Sequence, residues 1–310
     1  LSYILLVTET SDLAADLLVI AAERRGIPIL RFNQDEFPQD IEVAWHGAEG
    51  FSLRSAQFQV FEREIVAAWF RKNRRRVGTS SEVSAFVSRE SDGFLNGIWE
   101  TTGWTWMNRP SAVRQAEHKL LQLRHAARLG FEIPDTLVTN APEAARLFAR
   151  ARPVIAKTVA GAGLTLGGVD QVIFTSPVSA SDLDHDDAIK SCPLILQTKV
   201  RKSFDLRVTV VGERVFTARI MVRCQEDDEI DWRAIDETRL VYECDELPPD
   251  FAARCIKLVS DFGLLFGAID FVVAEDGRRV FLELNPSGQW GWLERALQLP
   301  ISDAILERLN

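Results

Sequence analysis

The sequence predicts an α/β protein, and three consecutive patterns carry that prediction. Tyr3-Ile4-Leu5-Leu6-Val7-Thr8 is a short apolar run of strand length. Leu13, Leu17, Leu18, Ala21 and Ala22 then recur at helical spacing, and Gly26 ends that run. Pro28-Ile29-Leu30-Arg31-Phe32 reads as a second strand, so strand, helix and strand follow in the order of a parallel α/β unit. At 310 residues the chain is long enough for two domains with a substantial core.

Composition narrows the classes of function. Hydrophobic residues make up 46% and charged residues 26%, the balance of a folded globular protein. A net charge of −9 disfavours nucleic acid, whose phosphates call for a surplus of Lys and Arg. No apolar stretch approaches the roughly 20 residues that span a bilayer. The first residues also lack the basic and small-residue features of a signal peptide, so a cytoplasmic protein without a membrane partner is expected. Cys192, Cys224, Cys244 and Cys255 are far apart and form no CxxC pair, which reads as reduced thiols. His46, His118, His125 and His185 have neither triad nor metal spacing.

The first region continues with strand-like Ile41–Trp45 and Phe51–Leu53 and a buried strand Ile65–Phe70. The basic run Arg71, Lys72, Arg74, Arg75, Arg76 after it reads as a solvated turn. A helix from about 81 to 100 follows, and Trp99, Trp104 and Trp106 read as core or interface. No GxGxxG follows the first strand, so a dinucleotide site there is not expected. The character changes at Asn108-Arg109-Pro110, where one helix carrying Lys119 begins at Ser111 and stops at Gly130. Phe131–Val138 reads as a strand, and Asn140 reads as the cap of a helix running through Ala149.

The remainder is rich in strands. Val154–Val159 and Gln171–Thr175 flank a glycine-rich connection, an acidic helix-like linker follows, and Leu194–Val200 is the next strand. Asp205–Val211 and Val215–Ile220 form a hairpin through Gly212-Glu213, and Ala268–Val273 and Val280–Asn285 form another through Asp276-Gly277.

The strongest local constellation lies on that second hairpin. Strand residues two apart share a face, so Glu283 and Asn285 point together, and Asp270 on the partner strand completes an all-oxygen set of the kind magnesium takes. Alone, the set serves equally as three polar residues on a solvent-facing side. Lys157 emerges from an apolar strand beside Gly161, Gly163, Gly167 and Gly168, a run whose backbone can fold over phosphates while the ammonium neutralises them. Its order and its flanking strands differ from a Walker loop. Lys119 by itself reads as a surface lysine, and the acidic runs Asp182–Asp187 and Glu226–Asp231 read as solvated loops or as an attraction for a cationic peptide.

Taken as a series, these features resemble the ATP-grasp superfamily over residues 109 to 310: Lys119, Lys157 with its glycine-rich loop, the hinge strand Leu194–Val200, Asp205-x-Arg207, Arg219, and Asp270 with Glu283-x-Asn285. The resemblance implies an N-terminal pre-ATP-grasp α/β domain over 1–108 and an ATP-grasp domain over 109–310. Within the latter it implies a lid subdomain at about 131–196 and a C-terminal magnesium and ATP subdomain at about 197–310. It also implies that Gln197, Lys199 and Val200 meet adenine, that Lys119, Lys157, Gly161 and Gly163 meet phosphates, that Arg207 and Arg219 stabilise the transferring phosphoryl group, and that Asp270, Glu283 and Asn285 hold Mg2+.

Phe204–Gly212, Asp231-Trp232-Arg233 and Phe281–Trp290 are more particularly similar to the graspetide, or microviridin-type, peptide ligases. Asp205 stands where these ligases vary and is given no catalytic role. This closer resemblance implies a homodimer that binds the leader of a ribosomally made precursor peptide. It implies activation of Asp or Glu side chains with ATP and closure of ω-ester or ω-amide rings. Glu226, Asp227, Asp228, Glu229 and Asp231 become candidates to meet the leader. An ATP-grasp ligase adding amino acids to a protein tail or small acid is the rival enzyme, and a nonenzymatic nucleotide- or peptide-binding scaffold is the rival from another class.

Overall fold

Strand β1 (Tyr3–Thr8), helix α1 (Leu13–Arg24) and strand β2 (Ile29–Asn33) form the expected parallel unit, with Ile4 beside Ile29 and Val7 beside Phe32. The computed structural model describes residues 2–71, 82–161, 163–166, 169–224, 226 and 229–310. β3 (Glu42–Trp45), β4 (Phe51–Arg54) and β5 (Gln59–Phe61) make a small antiparallel sheet, whose last strand has too few residues to show a pattern in sequence. β6 (Ile65–Phe70), α2 (Glu82–Thr101) and β7 (Thr105–Trp106) complete the unit, giving the parallel sheet order β2-β1-β6-β7. Trp99 and Trp106 lie in its core, as expected of them.

Arg71 departs from expectation. It is a buried residue that forks onto Asp12 through Nε (3.0 Å) and Nη2 (3.2 Å), and both side chains are fully buried. Its guanidinium lies 4.4 Å from the centroid of the Trp290 ring and 5.1 Å from that of Trp69. A buried guanidinium stands only with a charge partner and filled donors: Asp12 is the partner, oxygens of Asp12, Gly288 and Gln289 accept from its N–H groups, and the two indole faces add cation–π contact. The rest of the basic run, Lys72 to Arg76, lies outside the described residues.

The helix expected to run from Ser111 to Leu129 is two, α3 (Pro110–Ala116) and α4 (Lys119–Arg128), with His118 extended between them. The break has a visible partner: the Gln122 side-chain amide donates to Ala116 O, so a side chain fills the carbonyl that a continuing helix would have used. Lys119 is therefore the first residue of α4, not a mid-helix residue. Pro134 precedes β8 (Thr136–Thr139), which starts five residues later than expected, while Glu132 instead makes a parallel bridge to Val280. In α5 (Pro142–Arg150) the cap position falls to Ala141, whose N–H donates to Thr139 Oγ1, so Asn140 does not act as the cap.

β9 (Val154–Lys157) is followed by a hairpin of β10 (Gly163–Leu166) and β11 (Val169–Val172), so the glycine-rich connection is itself paired strand. Gly167 and Gly168 lie outside the described residues. β12 (Ser176–Val178), α6 (Asp186–Ser191) and β13 (Leu194–Thr198) complete an antiparallel sheet in the order β12-β9-β13-β8.

The last sheet runs β16-β15-β14-β17-β18 and is antiparallel throughout. It is built from β14 (Lys202–Val211), β15 (Arg214–Val222), β16 (Leu240–Asp245), and, after α7 (Pro249–Asp261), β17 (Phe266–Ala274) and β18 (Arg279–Asn285). Both expected hairpins are present, and Gly212 and Gly277 take positive φ at their turns, where a side chain would strain the backbone. Alternate residues Leu206, Val208 and Val210 pack under α7. Val211, Phe216 and Phe266 turn the other way, into a core shared with α1, Trp69 and Trp290, and with α9 (Ile301–Leu309), which follows α8 (Gly291–Leu297). No helix among the described residues is long and apolar enough to cross a membrane.

β18 ends its sheet, yet its outer edge is paired. Gln122 donates to Leu284 O at 2.7 Å and accepts from Leu284 N at 2.8 Å, and Phe281 N donates to Glu132 O at 2.8 Å. The Gln122 amide thus does what another strand would do. Replacing Gln122 with Ala leaves three buried backbone groups without partners, so it is expected to cost about 3 kcal/mol and lower the thermal midpoint by roughly 5–10 °C in calorimetry. A midpoint unchanged from wild type would show that water or a neighbour takes over the edge.

Candidate active site

Between the hairpin of β17 and β18, the start of α4 and the sheet containing β9 and β13 lies a cleft of about 1670 Å³. The ladder sets Asp270 directly across from Glu283 and Ala268 across from Asn285, so all three polar side chains belong to one face. All three line the cleft. On that face β14 contributes Arg207, opposite Asp270, and its Nη1 lies 2.7 Å from each carboxylate oxygen. Burial pushes the Asp270 carboxyl up, Arg207 pulls it down, and Glu283 across the strand adds to the upward push.

Cations converge on the same carboxylates. Lys119 stands at the cleft and donates to Thr158 O at 2.9 Å, and Lys157 approaches from β9. Burial holds both ammonium groups below the usual lysine range, with Glu283 opposing that shift in each case. Arg233 grips Asp231 through Nε (2.8 Å) and Nη2 (2.7 Å) and turns Nη1 to within 3.5 Å of Glu283 Oε1. Burial alone would push the Asp231 carboxyl up, and the bonds from Arg233 outweigh it, holding the group below the carboxylate range. Among the described residues no three His, Cys, Asp or Glu side chains are grouped to hold a metal. Two carboxylates with one amide is nonetheless the incomplete oxygen set that suits magnesium, which takes further ligands from water and phosphate.

The opposite wall is β13 and the turn after it, where Gln197, Thr198, Lys199 and Val200 face the cleft. Gln197 donates to Thr136 Oγ1 at 3.0 Å, but its Oε1 is buried without a partner, as are Thr198 Oγ1 and, beneath the carboxylates, Arg207 Nε. Buried polar atoms cost free energy unless bonded, so the two on the cleft wall, Gln197 Oε1 and Thr198 Oγ1, fit a bound polar molecule that supplies the missing partners. Gly161 also lines the cleft, whereas Gly163 opens the β10–β11 hairpin outside its lining. An added Cβ on either glycine meets no atom within 4 Å. Packing within the chain does not require glycine at these positions.

The structure does not bring Arg219 to this set. It pairs with Leu206, not with Arg207, and therefore emerges on the face covered by α7, where Nη2 donates to Asp245 at 2.9 Å and the guanidinium lies 5.0 Å from the centroid of the Phe204 ring. The acidic stretch is also largely committed. Glu229 pairs with Arg239 and Asp231 with Arg233, Glu226 is exposed at the cleft, and Asp227 and Asp228 lie outside the described residues.

Two cations at the site have no assigned role in the sequence reading. Arg233 is one, and its signal was the Asp-x-Arg spacing that lets both side chains fork together. Lys202 is the other: it pairs with Asp205 and donates to Ile230 O at 2.7 Å, tying β14 to the strap that bears Asp231 and Arg233. Burial pushes the Asp205 carboxyl up to about 6 despite that lysine.

Residues 3–114 match the family model of the MvdD pre-ATP-grasp domain. Among solved structures, the macrocyclase MdnC of Microcystis aeruginosa MRC, bound with precursor peptide MdnA, is 32% identical with a TM-score of 0.88, over 99% of this chain and 98% of that one. A RiPP-associated ATP-grasp ligase of Chryseobacterium gregarium, in complex with ADP and a leader and core peptide, is 28% identical with a TM-score of 0.88, over 100% and 96% of the two chains. The macrocyclase MdnB of Microcystis aeruginosa MRC is 29% identical with a TM-score of 0.83, over 100% and 99%. A comparison with curated proteins gives no match. The α/β architecture is thus an ATP-grasp fold preceded by a pre-ATP-grasp domain, and the chain belongs to the family of RiPP-associated ATP-grasp peptide ligases.

Proposed function

We propose that the chain uses ATP to activate Asp or Glu side chains of a ribosomally made precursor peptide and closes ω-ester or ω-amide rings within it. The observation that carries this reading is the convergence of Lys119, Lys157 and Arg233 on Glu283, beside an Arg207–Asp270 pair, in one cleft. Such a site neutralises a polyphosphate, and among the described residues no Ser or Cys lines it. That is the equipment of phosphoryl transfer, in which catalysis is positioning and charge stabilisation.

In this reading Gln197, Lys199 and Val200 hold adenine, and the buried Gln197 Oε1 and Thr198 Oγ1 find their partners on the nucleotide. Lys119 and Lys157 hold the phosphates, with Gly161 and Gly163 on the covering loop. Asp270, Glu283 and Asn285 hold magnesium, which when bound neutralises phosphate charge. Arg207 stabilises the transferring phosphoryl group, Arg233 joins it, and Arg219 is left out because its side chain lies on the far face of the sheet. A peptide carboxylate oxygen attacks the γ-phosphorus, ADP leaves, and an acyl phosphate forms. A Thr or Ser hydroxyl, or a Lys amine, of the same peptide then attacks the acyl carbon and releases phosphate, so each ring removes the elements of one water. The comparison structures that hold precursor, leader and core peptides support the peptide substrate.

The test is intact mass of the cognate precursor after incubation with the protein, ATP and magnesium. One water lost per ring with phosphate release supports the reading, and no mass change on a verified cognate precursor overturns it. Replacing Glu283 with Gln or Arg207 with Ala is expected to reduce turnover by about 100-fold or more, whereas Arg219→Ala should stay within about threefold because it reaches no part of the reacting centre. Equal losses at Arg207 and Arg219 would refute the face assignment.

The depressed lysines give a pH test. Phosphate beside an ammonium raises its pKa, so nucleotide binding takes up protons in the alkaline window between the depressed values of Lys119 and Lys157 and the usual lysine range. ADP affinity should therefore fall as pH rises through that window. Calorimetry of ADP binding in two buffers of different ionisation enthalpy should give unequal apparent enthalpies there. Equal enthalpies would place the lysines away from the phosphates.

A further inference from the structure

Arg71 belongs to the N-terminal domain, yet its fork reaches the segment that follows the last sheet strand. Beyond Asp12, its Nη2 meets Gln289 Oε1 at 3.3 Å and its Nη1 meets Gly288 O at 3.5 Å. The carbonyl of that same Gln289 accepts from Arg207 Nη2 at 3.3 Å. At Gly288 the segment runs so close to the sheet that an added Cβ would sit 2.5 Å from Ala268 Cβ and 3.0 Å from Arg207 Nη2. On the other side, an added Cβ on Gly291 would sit 2.5 Å from Leu17 Cδ1 of α1. Residues 288–291 are thus held between α1 and the sheet, with one arginine on each side of Gln289.

We infer that Arg71 is a positioning residue for phosphoryl transfer: through Gln289 it sets the direction of the Arg207 guanidinium. The inference rests on the role proposed above for Arg207. Arg207 has Asp270 on Nη1, the Gln289 carbonyl on Nη2, and a buried Nε without a partner. With Asp270 fixed by the ladder, the Gln289 carbonyl is the second point that stops the guanidinium from rotating about the Asp270 contact. That carbonyl is in turn placed by Arg71, because a planar fork can hold Asp12 with one edge and residues 288 and 289 with the other. A lysine keeps the charge opposite Asp12 but has no second edge.

A positioning role separates from a merely structural one in the kinetics. Arg207 acts on charge that develops during transfer, whereas the wall at Gln197 to Val200 and the two lysines hold the nucleotide in the ground state. In the full-length protein with magnesium, ATP and a precursor that wild type modifies, Gln289→Ala and Arg71→Lys are expected to lower kcat ten- to a hundredfold, the order of loss that follows a slightly misplaced group. The KM for ATP and the affinity for ADP should stay within about twofold. Gln289→Glu restores an acceptor toward Arg71 and is expected to recover most of the rate.

Gln289→Ala removes no charge and fills no space, so a thermal midpoint close to wild type should accompany its slow turnover. Wild-type kcat in both variants would overturn the inference while leaving the ligase reading intact. So would losses in kcat that track a lowered midpoint and weakened ADP binding, since those mark a stability role. Absence of any turnover by wild type would remove the ligase reading and this inference with it.

Discussion

The site depends on the side-chain amide of Gln122 closing the outer edge of β18 at Leu284. An edge strand paired on one side alone can slip, and a slip of one residue would turn Glu283 and Asn285 into the core and Leu284 into the cleft. Gln122 opposes that slip because it bonds both the N–H and the C=O of the one residue that separates the two polar side chains. The same helix begins with Lys119, three residues earlier and on the same side of its first turn. One short helix therefore fixes the register of the carboxylates and delivers an ammonium to them.

Charge then explains why so many arginines surround this hairpin. Asp270 and Glu283 face each other across a ladder in a place where burial favours their neutral forms, and two carboxylates that close repel. Arg207 against Asp270 and Arg233 against Glu283 offset both effects, the first through one nitrogen shared by both carboxylate oxygens and the second through a looser contact while its fork holds Asp231. Lysines suit the opposite wall for the complementary reason. Burial makes the Lys119 and Lys157 ammonium groups easier to neutralise and Glu283 only partly offsets it, so both would gain from the charge of a bound anion.

Much of this was legible in sequence because hairpins obey local rules. The alternation of Ala268–Val273 and Val280–Asn285 around Asp276-Gly277 was enough to find the hairpin, but counting outward from Phe271 and Phe281 would set Asp270 against Leu282; a register shift between Asp270 and Phe271 is what brings Asp270 across from Glu283. The same rule, applied to the other hairpin, would have removed Arg219: a two-residue turn at Gly212-Glu213 pairs Val211 with Arg214, and counting outward puts Arg207 against Ala218. Family order suggested two cooperating arginines where strand parity separates them. Arg71, Gln122 and Arg233 were not legible for a different reason. Each acts through a partner distant in sequence or through a loop without periodicity, and a basic run or a helical glutamine carries no sign of what it will meet.

The segment Pro286–Trp290 shows what a specific sequence match can mean. It is the second half of Phe281–Trp290, a stretch similar to the peptide ligases, and its position next to Glu283 and Asn285 invites a role in contacting substrate. Pro286 lines the cleft, and the structure gives residues 288–291 to packing. Gly288 lets the backbone pass Ala268, Gln289 stands between two arginines, Trp290 stacks on Trp69 at 5.0 Å, and Gly291 leaves room for Leu17. Those contacts tie the segment to the sheet that holds the carboxylates on one side, through Ala268 and Arg207, and to the N-terminal domain on the other, through Arg71, Trp69 and Leu17. A family can thus be recognised by residues that hold its N-terminal domain against the sheet, as well as by residues that face its cleft.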